Sequence, residues 1–479
     1  MSLPKTVYKT LEDVLGPENI TDDPAIMEAY RTSVGYEVCA ISPFYRPAAV
    51  VLPGSTEDLQ AVVKICNRYR ISFLAIGTGL GAWAIPSEPG MILMDLKRMN
   101  KIVEINEKNM YAVVEPYVTH AQLSAELMKR GLRHHSASVG GQTSVLANCL
   151  HCGNGFGSFG TSTNHRNLIA VEWVLPTGEV LRIGSPGMPK GEWFCGDGPG
   201  PSLRGIVRGF WGAMSGMGVF TKAALKVYHW PGPETFPHEG VAPSYDVKLP
   251  EDKFKAFTIT YRDWESLAEA AHAISRAEIG IGVCRFPPSL AILSVSSNEE
   301  FWDTLSAGFL QTLKEFSPHL FAVLLGANSS RELEYQEKVL NKIIEETGGE
   351  IVELLNIPES NRQMLGEFIR PVFTFRGYRM AGRATSVRFG YESIDHAIAV
   401  AKSANKIYRE YMDKGAPFVD IAGADMSWVN FVEHGHWAYC ETGWAHAPFV
   451  EKGESESALI NEEYYLRQLK DDISLKTYP

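Results

Sequence analysis

The 479-residue chain has no apolar run of membrane-spanning length, no strong internal repeat and no low-complexity tract. A helix needs about 20 consecutive, mostly apolar residues to cross a bilayer, so no membrane span is expected. The opening Met1-Ser2-Leu3-Pro4-Lys5 lacks the apolar centre of a secretory signal. Positive charge is in deficit, with 45 Lys and Arg against 56 Asp and Glu and a net charge of -11. That balance argues against a nucleic-acid partner. Cysteine is sparse: seven, an odd number, scattered over the whole chain. A disulfide framework is thereby disfavoured, and free thiols in a reducing compartment are expected, which makes the protein cytoplasmic. What is present is ordinary for a globular protein, 45% hydrophobic and 21% charged residues. The length suffices for two or three domains.

The most informative stretch is Ala75-Ile76-Gly77-Thr78-Gly79-Leu80-Gly81-Ala82-Trp83-Ala84. Three glycines strip side chains from a turn, leaving backbone N–H groups to wrap an anionic phosphate. It follows a β-α-β signal over 48–75. Ala49–Pro53 reads as a strand, and Ser55 or Thr56 as a helix cap, with Glu57 and Asp58 in the first turn. Leu59, Val62, Val63 and Ile65 recur at helical spacing, and Ile71–Leu74 resumes the sheet. No long helix with a small-residue face follows the glycines. Pro86, Pro89 and Gly90 lead instead to a strand at 92–96, so the loop joins strand to strand. A pyrophosphate cradle other than the nicotinamide Rossmann type is the reading.

Strands follow at 102–105 and 111–115. Thr119 caps a second amphipathic helix that ends at Gly131. Residues 136–161 are crowded with Gly, Ser, Asn and Cys, suited to backbone lying against a ligand. A hairpin follows, 171–175 and 179–182 about Pro176-Thr177-Gly178. Trp230-Pro231-Gly232-Pro233-Glu234 marks a domain boundary. Beyond it, strand-like runs at 256–260, 319–325 and 385–389 lie near amphipathic helices around 264–277, 330–347 and 394–413. That texture predicts an antiparallel sheet covered by helices.

Taken in order, these motifs resemble the vanillyl-alcohol oxidase / p-cresol methylhydroxylase family of FAD-linked oxidoreductases. The matching pieces are Val51–Leu59, the glycine loop, Ala112–Thr119, Ser144–Asn148, Gly155–Gly160, Val174–Gly184 and Ser215–Lys222. The resemblance implies an α+β protein: a two-lobed FAD-binding domain of the PCMH type over 1–232 and an α+β cap domain over 233–445. A C-terminal segment, 446–479, would return to the FAD domain. It implies FAD contacts from Ile76, Gly77, Thr78, Gly79, Leu80, Gly81 and Ala82 at the pyrophosphate. Ser138, Gly140, Gly141, Ser144, Asn148, Gly155 and Gly157 would run along the flavin, with Gly218 and Val219 near the adenine. Hydride would pass to flavin N5 from an alcohol or a hydroxylated or alkyl aromatic carbon. The electrons would then go to oxygen or a protein acceptor, and the chain would be at least a dimer. The family's phenolate-binding tyrosines fall here at Ala82 or Trp83 and at Phe156, and its acidic residue at Ser138 or Val139. A para-hydroxybenzyl substrate is therefore not carried over. This departure keeps a non-catalytic or electron-relay flavoprotein subunit as the rival reading.

Candidate chemistry sits in three places. His151, in Cys149-Leu150-His151-Cys152, is placed to take a substrate proton or is a packing histidine. Its flanking CxxC pair has no second pair to complete a metal site, and no metal is assigned. Glu433-His434-Gly435-His436, followed by Tyr439, falls where the family carries a late strand near the flavin. His434 or His436 would serve catalysis or a covalent flavin link, and Glu-His-Gly also resembles the 2-hydroxyacid dehydrogenases. Among Arg370, Arg376, Arg379, Arg383 and Arg388, Arg388 lies in a strand-like run and is the anion-clamp candidate, with Tyr378 and Tyr391 behind it. His134-His135 are adjacent on extended backbone, so both cannot ligate one ion, and they read as structural.

Overall fold

In the computed structural model the described residues are 3–31, 45–79, 84–151, 153–193, 204–208, 217–235, 237–241, 244–287, 297–309, 312, 319–369, 383–416, 418–419, 425, 427–446, 463, 466–467 and 477–478. Side chains of 241, 244–246, 298, 383–391, 418–419, 443–446 and 477–478 lie outside the description. The chain divides into two compact units. The first comprises Met1–Ala137, Gly141–Gly153 and Thr163–His229; the second comprises Ser138–Gly140, Asn154–Ser162 and Trp230–Pro479. A boundary drawn at residue 232 from the Pro/Gly stretch misses those two short pieces. They lie among first-unit residues in sequence and pack with the second unit.

The first unit holds two sheets. Strands β1 (Ile20–Thr21), β2 (Ala49–Val51), β3 (Phe73–Ile76) and β4 (Ile92–Asp95) take the order β1-β2-β4-β3. β2, β4 and β3 run parallel. The crossover is the helix Thr56–Tyr69, whose cap is Ser55: its hydroxyl accepts from Asp58 N. Leu59, Val62, Val63 and Cys66 bury this helix against β2 and β4. The second sheet is antiparallel, in the order β5-β6-β10-β8-β9, from β5 (Ile102–Asn106), β6 (Tyr111–Val114), β8 (Leu168–Val174), β9 (Val180–Ile183) and β10 (Val219–Lys226). β7 (Leu132–Arg133) pairs with β11 (Tyr228–His229). Buried Glu172 of β8 ties the two sheets. It accepts hydrogen bonds from Thr56 Oγ1 at the helix start (2.9 Å), Thr221 Oγ1 (3.0 Å), Arg182 Nε (2.9 Å) and Lys222 Nζ.

In the second unit, β12 (His238–Val241) and β13 (Ser244–Val247) form a hairpin. A nine-stranded sheet contains β14 (Phe254–Tyr261), β15 (Gly282–Phe286), β16 (His319–Gly326), β17 (Glu350–Ile351), β18 (Arg383–Glu392), β19 (Phe418–Val419), β20 (Trp428–Val432), β21 (Trp437–His446) and β22 (Thr477–Tyr478). The order is β17-β14-β16-β15-β20-β21-β18-β22, with β19 beside β21. Every pairing described in it is antiparallel. The helices Trp264–Ala277, Ser330–Thr347 and Ile394–Asp413 start on the caps Asp263, Ser329 and Ser393. Their apolar stripes bury one face of the sheet, through Val283, Phe321, Val323, Val429, Phe431, Ala438 and Cys440. Strand alternation sends Cys284, Asn430 and Tyr439 to the other face.

Candidate functional site

In the first unit the glycine loop leaves β3 and packs on the turn preceding the short helix Val145–Leu150. A Cβ added at Gly77 would sit 3.2 Å from Pro116 O and 3.3 Å from Ser144 Cβ, while Gly79 adopts φ +71°. Both positions favour a residue without a Cβ. Ser144 N donates to Thr78 Oγ1 (3.2 Å), and Ser144 Oγ donates to Pro116 O (2.5 Å). Gly218 adopts φ +94°, and a Cβ there would lie 2.2 Å from Val174 O. Val219 is buried and pairs with Val174. This cradle of bare backbone fits a pyrophosphate group. Leu80, Gly81 and Ala82 lie outside the described residues, as does Cys152.

Behind the cradle stands a group of buried imidazoles. Asn148 Nδ2 donates to Ser144 O (2.9 Å) and to His120 Nε2 (3.2 Å). His120 therefore carries its proton on Nδ1, 2.7 Å from His134 Nε2. Burial holds His120 and His135 at about 3, and burial together with nearby His165 holds His151 at about 3. All three are neutral at physiological pH. His134 and His135 separate as extended backbone requires: His134 pairs with His120, and the His135 ring bonds the Gly153 backbone. Among the described residues no group of three His, Cys, Asp or Glu is arranged to hold a metal. Burial pushes the Cys149 thiol up to about 12, an inert group.

In the second unit, the face of the large sheet away from the helices carries aromatics. Phe156 stacks on Phe368 (centroids 5.1 Å) and tilts on Trp428 (5.3 Å), whose ring meets Tyr439 edge-on (5.4 Å). Phe156, at an expected tyrosine position, thus supplies packing and no phenol. Tyr439 is buried, and its hydroxyl donates to Glu441 Oε2 (2.5 Å). Asn430, paired with Tyr439 in register, donates from Nδ2 to Asn154 Oδ1 and Gly155 O, both at 2.8 Å. Ser138 N donates to Asn154 O (2.9 Å). Gly140 adopts φ +111°, and a Cβ at Gly157 would approach Phe368 O at 3.8 Å. Glu441, Asn430 and Asn154 were not singled out from sequence: each is a lone polar residue without a spacing pattern.

The two candidate histidines sit elsewhere in this unit, on the β20–β21 turn. Glu433, His434 and Gly435 adopt φ of 50°, 50° and 77°. His434 N donates to Phe159 O (2.9 Å), and its ring meets Phe159 edge-on at 4.9 Å. A Cβ at Gly435 would collide with Ser275 of a covering helix, and His436 is exposed. His434 thus packs on Phe159 of the helix-covered core, whereas Tyr439 lies on the opposite face of the sheet. Arg388 lies in β18, paired in register with Thr442 rather than with Tyr439 or Glu441. Tyr391 is the β18 residue paired with Tyr439. Arg370, Arg376, Arg379 and Tyr378 lie outside the described residues.

Residues 47–184 match the FAD binding domain family. FAD is the cofactor. Two curated relatives are the 1'-carboxy-chondrochloren decarboxylase of Chondromyces crocatus, 30% identical over 47% of this chain and 40% of that protein, and the 4-cresol dehydrogenase [hydroxylating] flavoprotein subunit of Pseudomonas putida, 33% identical over 34% of this chain and 32% of that one. A third, named "Probable D-lactate dehydrogenase, mitochondrial" in Danio rerio, is 25% identical over 47% of this chain and 43% of that protein. These alignments thus span less than half the length of the relatives. The crystal structure of p-cresol methylhydroxylase with substrate bound superposes with TM-score 0.75 and 17% identity, over 98% of this chain and 87% of that one. The likeness establishes the fold: a PCMH-type FAD-binding fold with an α+β second domain. Among the described residues no helix is long and apolar enough to cross a membrane.

Proposed function

We propose that the chain is an FAD-dependent oxidoreductase that removes hydride from an alcohol, or from a hydroxylated or alkyl aromatic carbon. The observation that carries this reading is the FAD binding domain match joined to the aromatic face of the second unit, where Tyr439 is hydrogen-bonded to Glu441. When bound, FAD supplies the hydride acceptor; the protein supplies position and proton management. Phe156, Trp428 and Phe368 offer ring surfaces for an aromatic substrate. Tyr439 presents a hydroxyl whose proton Glu441 accepts as a hydrogen bond, so the pair can hold or relay the proton of a substrate hydroxyl. His151, in the first unit and neutral through its burial, keeps a proposed catalytic role. Arg388 is the anion clamp, and His434 and His436 keep lesser catalytic or flavin-linking roles. The finer expectations (a vanillyl-alcohol oxidase-type family placement, a cytoplasmic location, a dimer, oxygen or a protein as electron acceptor) belong to the same reading.

A second reading, oxidation of a 2-hydroxy acid, draws on the similarity to the Danio rerio protein and on Glu433-His434-Gly435. A substrate panel with a dye acceptor under anaerobic conditions separates the two. Reduction by alkylphenols or benzylic alcohols supports the first. Reduction by lactate or glycolate alone replaces it with the second. No reduction by either class favours an electron-relay subunit.

A further inference from the structure

Nine residues, Asn154–Ser162, fall within the FAD binding domain match yet pack with the second unit. Their fastenings concentrate on β20 and the turn after it. Asn430 Nδ2 donates to Asn154 Oδ1 and Gly155 O, both at 2.8 Å. Glu433 N donates to Ser158 O (3.2 Å) and His434 N to Phe159 O (2.9 Å). Ser162 Oγ donates to Glu433 Oε1 (2.7 Å), whose other oxygen accepts from Trp437 Nε1 (3.3 Å). Gly160 N adds a bond to Ile281 O (3.2 Å). Both ends of this clasp carry left-handed backbone on residues with a Cβ: φ 50° at Glu433 and His434, 60° at Ser162. Such backbone persists only where its surroundings over-determine it, and it concentrates at functional sites. Inside the segment, Ser158 Oγ donates to Asn154 Oδ1 (2.8 Å) and accepts from Gly155 N (3.0 Å). The whole strip is therefore one rigid, hydrogen-bonded unit, hung on two side chains of a distant strand and turn.

We propose that Asn430 and Glu433 are positioning residues for FAD: by clasping Asn154–Ser162 they set the bare backbone at Gly155 and Gly157 that lines the flavin. The inference rests on the FAD reading of that segment. It assigns the Glu433 side chain and the His434 backbone N–H a clasp, a role separate from any ring chemistry of His434 and His436. It also makes FAD affinity depend on side chains outside the matched FAD domain.

The test is titration of apo-protein with FAD, followed by flavin fluorescence and the visible spectrum, on Ser162→Gly, Asn430→Asp, Glu433→Ala and Glu433→Gln. Ser162→Gly deletes the hydroxyl while relieving the left-handed backbone, so it retains the fold. Asn430→Asp keeps the shape and removes the two donated bonds. Loss of the one bond to the Glu433 carboxylate, or of the two bonds to neutral oxygens from Asn430, is expected to weaken FAD binding about tenfold. The visible bands should shift in Ser162→Gly, Asn430→Asp and Glu433→Ala. Glu433→Gln, which still accepts from Ser162, should bind FAD as the wild type does; a merely structural role would not produce that rescue together with a spectral shift. Folded Ser162→Gly and Asn430→Asp with wild-type affinity and spectrum would overturn the clasp. Wild-type protein that takes up no FAD at all would instead overturn the FAD reading beneath it.

Discussion

Glu172→Gln probes the joint that holds the two sheets of the FAD domain together. Burial alone would raise this carboxyl, but hydrogen bonds from Lys222, Arg182 and Thr56 outweigh it and hold it at about 2, against an ordinary 4.5. That displacement corresponds to ~3 kcal/mol. Arg182 is half exposed, its side chain at 53%, so solvent screening reduces the useful part to ~2 kcal/mol. The folded-state value is depressed, so the stabilisation is fully present above the unfolded value. It is lost as pH falls from about 4.5 toward about 2. Gln preserves the size of the side chain and the acceptor for Thr56 and removes the charge facing Lys222. For a domain of this size ~2 kcal/mol lowers the melting temperature by about 4–8 °C. Differential scanning calorimetry of wild type and Glu172→Gln at pH 7 and at pH 3 is the assay. The gap should be full at pH 7 and reduced to about half or less at pH 3. An equal gap at both values, or none at pH 7, refutes the reasoning.

Other perturbations have defined outcomes. Tyr439→Phe removes the hydroxyl bonded to Glu441; stopped-flow flavin reduction should slow about 100-fold with substrate affinity nearly unchanged. Gly218→Ala places a methyl 2.2 Å from Val174 O on a φ of +94°, and should cost about 2–4 kcal/mol in urea denaturation. Arg285→Leu leaves buried Asp425 without the partner that holds its carboxyl below the ordinary value against the effect of burial; chemical denaturation should show a loss of about 3–5 kcal/mol. The neutral histidines set the acid response. His120, His135 and His151, each at about 3, refuse protons that the unfolded chain accepts from about 6.5 downward. Stability should fall steadily over that window as pH drops, and a flat profile between pH 6.5 and 4 counts against the buried cluster. The thiols of Cys66, Cys149 and Cys284, pushed up to about 12 by burial, should resist iodoacetamide in the native protein and react in urea.

Much of the scaffold was legible because local signals agreed with the fold. Asp263, Ser329 and Ser393 stand directly before amphipathic runs, and the three helices start there. The β-α-β unit and Gly77-Thr78-Gly79 announced themselves through caps, periodicity and glycine. The rest depended on contacts that no local pattern encodes. Cys284 pairs with Asn430 across most of the second unit. Nothing in the sequence of 430–441 tells which alternate residues face the helices and which face Phe156. Sequence reasoning preferred histidine as a chemical group and so fixed on His434 and His436. The carboxylate beside Tyr439 and the carboxamide of Asn430 carry no motif. Left-handed φ at Glu433 and His434 is likewise invisible, since only Gly435 signals a turn.

The central claim, an FAD oxidoreductase with its substrate proton managed by Tyr439 and Glu441, is tested most directly by anaerobic reduction of the purified protein. The visible absorption of oxidised flavin should be present, and an alkylphenol or benzylic alcohol should bleach it in wild type and far more slowly in Tyr439→Phe. Protein that holds no flavin after incubation with FAD, or flavin bleached equally fast in both proteins, would contradict the account.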